Sequence, residues 1–225
     1  MALKSGVKLV GGCRTPNPLL RPYGALREAD AAPSLSYATM FARMRVVEKT
    51  QLMSATEIDR TLQRLAHEIV EKSGGTANLA LIGIRRRGVP LAQRIARAMH
   101  GIEHVEVPVG TLDITLYRDD LSKIASHPVL HSSEIPFPVD DKDVLLVDDV
   151  LYTGRTARAA MNGLFDLGRP SRVRMAVLID RGHRELPIEA SFVGRSIQTS
   201  SREIVEVRLH ETDQEERVML VERVE

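Results

Sequence analysis

The chain has no tryptophan, four tyrosines, four phenylalanines and one cysteine among its 225 residues. Cys13 alone makes no internal disulfide and no multi-cysteine zinc cluster, which fits a reducing, cytoplasmic setting. Aromatics at 4% leave few platforms for stacking nucleic-acid bases. No run approaches the roughly 18 consecutive apolar residues of a membrane-spanning helix, so no membrane partner is expected. Charge of one sign is also lacking: 31 basic and 30 acidic side chains leave +1. Bulk charge therefore gives no argument for a polyanionic partner. What is present is ordinary for a globular protein, with 43% apolar and 27% charged residues. One domain is the leading expectation at this length.

The basic side chains are 25 arginines and only 6 lysines. The planar guanidinium fork suits phosphate and carboxylate, although a GC-rich genome produces the same bias. Residues 1–43 carry six basic and two acidic side chains and four of the eleven prolines, Pro16, Pro18, Pro22 and Pro33. They show no lasting periodicity and read as a disordered or loosely attached extension to a domain over 44–225. No compact apolar core follows Lys4 and Lys8, which argues against a secretory signal; translation from Met40 or Met44 is an alternative account of the segment.

From Ser54 the pattern is orderly. Ser54-Ala-Thr-Glu57 has the form of a capping box, and Ile58, Leu62, Leu65, Ile69 and Val70 follow at helical spacing up to Gly74-Gly75. Leu79–Ile84 reads as a strand and Val89–Met99 as a helix. Val105–Val109 and Leu112–Leu116 read as two strands, and Asp119–Pro138 as a long polar connection. The unbroken Val144–Val147 run is expected of a strand buried on both faces, followed by a helix over 155–167. Val173–Ile179 and Phe192–Gly194 add strands, and Val205–Leu209 with Val218–Val221 a terminal antiparallel pair. This alternation predicts an α/β doubly wound fold, a mostly parallel twisted sheet flanked by helices.

The densest chemistry lies in Val144–Thr156. A buried strand runs into Asp148 and Asp149, then into a turn of small residues, Thr153-Gly154-Arg155-Thr156, that opens a helix. Free amides and two hydroxyls at a helix N-terminus hold a phosphate. The Walker A lysine and the G-x-G-x-x-G spacing are both missing, which disfavours a P-loop or a dinucleotide site. Two carboxylates beside a phosphate cradle suit a ligand with hydroxyls to donate, such as a ribose 5-phosphate, or a bridging Mg²⁺.

Val144–Thr156 resembles the phosphoribosyl pyrophosphate (PRPP) motif of type I phosphoribosyltransferases. Asp113-Ile-Thr-Leu-Tyr-Arg-Asp-Asp120 and Asp180-Arg-Gly-His-Arg-Glu-Leu-Pro187 narrow the resemblance to the PyrR family of pyrimidine-operon attenuators and uracil phosphoribosyltransferases, from about Gln51 onward. It implies a single type I domain with a small hood and a flexible loop. It also implies transfer of ribose 5-phosphate from Mg²⁺-bearing PRPP to uracil. By resemblance Asp148 and Asp149 take the ribose hydroxyls, and Val150, Leu151, Tyr152, Thr153, Gly154, Arg155 and Thr156 form the 5-phosphate site. Gly83–Gly88 would be the pyrophosphate loop, with Arg86 and Arg87 as PRPP ligands, where many relatives have Thr-Arg. Arg118, in a loop closing over PRPP, is the candidate that neutralises departing pyrophosphate. Val177, Asp180 and Arg181 would form the uracil pocket, and no side chain is assigned as a general base.

The resemblance further implies UMP- or UTP-favoured binding of a pyrimidine mRNA leader, attenuating transcription, and a homo-oligomer, dimer or tetramer. Arg60, Arg64 and His67 share one helical face, and His183, Arg184, Arg195 and Arg202 complete the candidate RNA contacts. By spacing alone the same groups read as a solvated basic face. Two other readings stay open: an enzyme for a purine base, and a non-catalytic, nucleotide-sensing RNA regulator. No histidine cluster predicts a directly ligated metal.

Overall fold

A computed structural model of the chain describes residues 45–117 and 133–224. The segment 1–43 and Arg118 lie outside the described residues. Among the described residues, eight strands and four helices follow one another: β1 (Arg45–Ser54), α1 (Ala55–Ser73), β2 (Leu79–Ile84), α2 (Gly88–Glu103), β3 (Val109–Leu112), β4 (Asp143–Leu151), α3 (Arg155–Phe165), β5 (Arg172–Asp180), β6 (Phe192–Ser196), β7 (Glu203–Arg208), α4 (His210–Asp213) and β8 (Arg217–Val224). Five of the strands form one parallel sheet in the order β3-β2-β4-β5-β6. β1, β8 and β7 form a separate antiparallel sheet, the hood.

Alternation along the central strands builds a core on each face of the sheet. Leu145 and Val147 pack with Ile58, Leu62, Leu65 and Ile69 of α1 and Leu91 and Ile95 of α2. Val144 and Leu146 face the other way, onto Ala157, Ala160 and Leu164 of α3. Helices on both faces explain why these strands read as solid apolar runs. At the start of α1 the capping box forms as expected: Glu57 N donates to Ser54 Oγ at 3.4 Å, and Ser54 N donates to the Glu57 carboxylate at 2.9 Å. Gly74, in the left-handed conformation, ends the helix.

Two expectations need correction. Val105–Val109 is not a strand. Pro108 has no N–H to give a ladder, and regular pairing begins only at Val109, although the Pro108 carbonyl still accepts from Leu81 N. Leu112–Leu116 is not a strand either. The Asp113 carboxylate accepts from Thr115 N at 2.8 Å and Thr115 Oγ1 at 2.6 Å, and this local turn tips the chain into a single 3₁₀ turn, Thr115–Tyr117. The helix predicted over 155–167 stops at Phe165.

The sheet order places the ligand crevice. From β2 the chain moves outward to β3, then returns to β4 on the other side and continues to β5 and β6. Connections therefore diverge between β2 and β4, and the crevice of such a sheet opens beyond the carboxyl ends at that point.

Candidate active site

Three segments meet at the crevice: residues 85–88 after β2, the acids at the end of β4, and the turn before α3. Gly88 joins the first two. A Cβ on Gly88 would lie 2.2 Å from the Val147 carbonyl oxygen and 3.3 Å from Asp148 Cα, so only glycine lets the loop press against β4 here. The Arg85–Arg86 peptide is cis. Arg86 is exposed, whereas Arg87 is half-buried. Arg87 lines a cavity of about 490 Å³ together with Asp149. The adjacent Asp213 carboxylate raises the guanidinium above its ordinary value, with a smaller contribution from Asp149.

β4 carries both acids within the strand, further along than the apolar run reveals. Asp148 is buried and accepts from Asp149 N at 2.9 Å. Asp149 is half-buried, and its Oδ1 accepts from Val150 N at 2.9 Å. Each carboxylate is thus held by the backbone amide of the residue that follows it.

The following turn opens α3 on a glycine. Gly154 holds φ 91° at the N-cap of α3, and no side chain caps the helix. Arg155 N, the first amide of α3, donates to Thr153 Oγ1 at a long 3.4 Å. The turn is held from behind: the Thr153 carbonyl accepts from Glu185 N at 3.0 Å and Leu186 N at 3.2 Å, and Arg155 pairs with Glu185 at 2.7 Å.

Arg184 sits inside this scaffold. Its guanidinium donates to the carbonyls of Tyr152 and Ile188 and to Asp180 Oδ2, at 2.9, 3.0 and 2.5 Å. Asp180 in turn accepts from Gly182 N at 2.9 Å, so its carboxylate organises the turn. Val177 has its side chain in the core and its backbone in the ladder between Asp148 and Val193, which keeps it away from the crevice.

Arg181 is 5% exposed, a buried cation held by Thr199 Oγ1, the Ser200 carbonyl and the Glu203 carbonyl. Its guanidinium carbon lies 4.0 Å from the centre of the Tyr152 ring. Burial lowers its pKa. His183 Nε2 contacts the Thr199 carbonyl at 2.5 Å and packs edge-on to Tyr152. Asp180, Arg181 and His183 line a cavity of about 560 Å³ with Ser196 to Thr199.

The candidate RNA contacts lie on several elements. Arg60 and His67 are exposed on α1. Arg64 donates to the carbonyls of Val193 and Gly194, at 3.0 and 2.7 Å, and so ties α1 to the edge strand β6. Arg195 bonds the Leu52 carbonyl and Glu57, and Arg202 is exposed beyond β6. His183, exposed, and Arg184, half-buried, follow β5. Sequence reasoning missed Asp213, which grips Arg87 from 126 residues away and gives no local signal.

Known proteins are similar to this chain. The phosphoribosyl transferase domain family matches residues 50–212. A curated relative from Pelotomaculum thermopropionicum, named bifunctional protein PyrR, is 60% identical over 178 residues, covering 79% of this chain and 98% of its own. The chain belongs to the PyrR family. PyrR proteins of Thermus thermophilus and Deinococcus radiodurans are 59% and 55% identical, covering 78% and 73% of this chain and 97% and 90% of their own. Among solved structures, the hypoxanthine phosphoribosyltransferase of Trypanosoma cruzi superposes with a TM-score of 0.60 at 21% identity, covering 79% of this chain and 98% of its own. That likeness establishes the shared fold, a type I phosphoribosyltransferase α/β domain. No helix among the described residues is long and apolar enough to cross a membrane.

Proposed function

We propose that this chain transfers ribose 5-phosphate from PRPP to uracil, forming UMP and pyrophosphate, and that it also regulates pyrimidine genes by UMP-dependent binding to an mRNA leader. The observation that carries the catalytic half is a convergence at the switch point of the sheet. The uncapped start of α3, two β4 carboxylates and an arginine loop pressed on β4 by Gly88 offer, in order, a phosphate cradle, hydroxyl acceptors and a diphosphate site. The amides at 154–156 hold the 5-phosphate, Asp148 and Asp149 accept from the ribose hydroxyls, and Arg87 meets the pyrophosphate. Mg²⁺ arrives as part of the PRPP substrate. Among the described residues no group of three or more His, Cys, Asp and Glu could hold a metal ion unaided, whereas a ligand that brings its own oxygens needs only one or two protein carboxylates.

Catalysis in this reading is positioning plus charge. Breaking the glycosidic bond builds positive charge on the ribose and negative charge on pyrophosphate, which the acids and the arginine loop face respectively. Arg118 remains the candidate on the closing loop. The base enters beside residues 180–183 and 196–199, with Asp180 and Arg181 shaping the pocket and Val177 supporting it from the core.

For the regulatory half, the exposed Arg60 and His67, with Arg64, Arg195 and Arg202 nearby in sequence or space, supply donors for RNA backbone and splayed bases. Residues 44–225 are the catalytic domain in this reading, and 1–43 an extension. A dimer or tetramer and a cytoplasmic location belong to the same reading. Parallel assays with uracil, hypoxanthine and guanine test it. Turnover confined to uracil supports it, and turnover with a purine alone overturns the base assignment. UMP-stimulated RNA binding without turnover points to a pure regulator.

A further inference from the structure

Asp213 stands outside every motif of the sequence, yet its carboxylate accepts four hydrogen bonds. Its Oδ2 accepts from Leu209 N at 3.0 Å, Thr212 Oγ1 at 2.6 Å and Arg87 Nε at 3.0 Å, and its Oδ1 accepts from Arg87 Nη2 at 2.7 Å. A carboxylate with four donors has one orientation available. The guanidinium it grips is thereby fixed along its Nε–Nη2 edge, and Nη1 donates to nothing among the described residues. Arg87 itself opens the helix α2 and shares a cavity with Asp149.

A second ion-pair group reinforces the same junction. Arg94, two turns further along α2, bonds Glu211 at 2.7 Å and Glu216 at 2.5 Å. Both acids flank Asp213 in the hood, so α4 and its ends are anchored to α2 at two levels.

We propose that Asp213 is a positioning residue for pyrophosphate: it reaches from the hood to hold Arg87 so that the free edge of the guanidinium faces the diphosphate of PRPP. This rests on the phosphoribosyltransferase reading and adds to it a part for the hood. The hood then sets the geometry of the pyrophosphate loop, although the two are far apart in the sequence.

The alternative effect of Asp213 has the opposite sign, which makes the idea decidable. A carboxylate near a diphosphate repels it, so by charge alone Asp213→Asn would tighten pyrophosphate binding. Positioning predicts weaker binding, because an unheld arginine must be ordered by the ligand. The test measures Mg²⁺–pyrophosphate and PRPP binding by calorimetry on the full chain, with circular dichroism confirming folded protein. Asp213→Asn is expected to weaken pyrophosphate binding about tenfold, the scale of a charge-assisted pair. It should raise the KM for PRPP and leave the KM for uracil unchanged. Asp213→Glu should recover part of the loss. In an Arg87→Lys background, which already lacks the fork, Asp213→Asn should cost less than about twofold.

Should Asp213→Asn fail to fold, Asp213→Glu and Arg87→Lys carry the comparison, and their losses must then be non-additive. Unchanged or tighter pyrophosphate binding, or full additivity with Arg87→Lys, overturns the assignment alone. Wild-type chain that binds neither pyrophosphate nor PRPP overturns the underlying reading and the assignment with it.

Discussion

Gly88 and Val147 are in backbone contact across the switch point: a Cβ on the glycine would stand 2.2 Å from the valine carbonyl oxygen. The contact joins the loop after β2 to the strand that carries both acids, and it leaves no flexible group to move aside. Gly88→Ala should therefore push the loop off β4. We expect a stability loss of about 1–3 kcal/mol, the usual cost of overpacking, and a larger proportional loss in kcat/KM for PRPP than for uracil. Thermal unfolding and steady-state kinetics check both, and an alanine variant with wild-type PRPP kinetics contradicts the role of this contact.

Asp149 is the more exposed of the two acids and accepts one hydrogen bond, from its neighbour's amide. Asp149→Asn removes a charged acceptor without opening a cavity. Its expected effect is a fall of roughly 10- to 100-fold in kcat/KM for PRPP, the range of hydrogen bonds to charged groups, with an unchanged unfolding midpoint. Equal losses in stability and activity would show that Asp149 serves the fold instead.

Arg60 and Arg64 should separate in experiment. Arg60 is exposed on α1, so Arg60→Ala should weaken RNA binding, lower its salt dependence by about one phosphate contact and spare UMP synthesis. Arg64 ties α1 to β6 through two carbonyls, so Arg64→Ala should also cost about 1 kcal/mol of stability. Filter binding across salt concentrations, beside denaturant unfolding, distinguishes the two. Identical behaviour of both variants would show that the two carbonyl bonds of Arg64 add nothing to stability.

Glu203 ties the hood to itself and to the base side of the crevice. The Lys49 ammonium, helped by Ser200, holds its carboxyl at about 2 instead of the ordinary 4.5. A depressed folded-state pKa stabilises the protein above the unfolded value and stops doing so as pH falls through the folded one. Lys49 is shifted upward by the same partner, so its share persists up to 10.5 and fades above. The stability difference between wild type and Glu203→Gln should be constant between these limits, shrink from about pH 4.5 downward and vanish near pH 2. Urea unfolding across pH measures it, and a difference that survives at pH 2 refutes the ion-pair explanation.

The central fold was legible because its signals are local. Solid apolar runs marked β2, β4 and β5, and the Ser54–Glu57 capping box marked the start of α1. β1 escaped notice because its pairing with β8 shifts register between Glu48 and Thr50 and again between Gln51 and Met53. Each irregularity breaks the period of two on which strand reading depends. The strand end and helix start that carry residues 148–156 could be read because one continuous segment supplies them. The carbonyl bonds of Arg184 were not legible, since nothing local tells an arginine that it will be held by Tyr152 and Ile188. Asp213 was invisible for the same reason: its meaning depends on a partner that only the tertiary fold brings near.

The most direct test is UMP formation from labelled uracil and Mg²⁺–PRPP, run beside an Asp148→Asn/Asp149→Asn double variant. The account predicts stoichiometric UMP and pyrophosphate from the wild-type chain and a loss of at least about 100-fold in the folded variant. No UMP from folded wild-type protein that binds PRPP, or equal rates from both proteins, would contradict it.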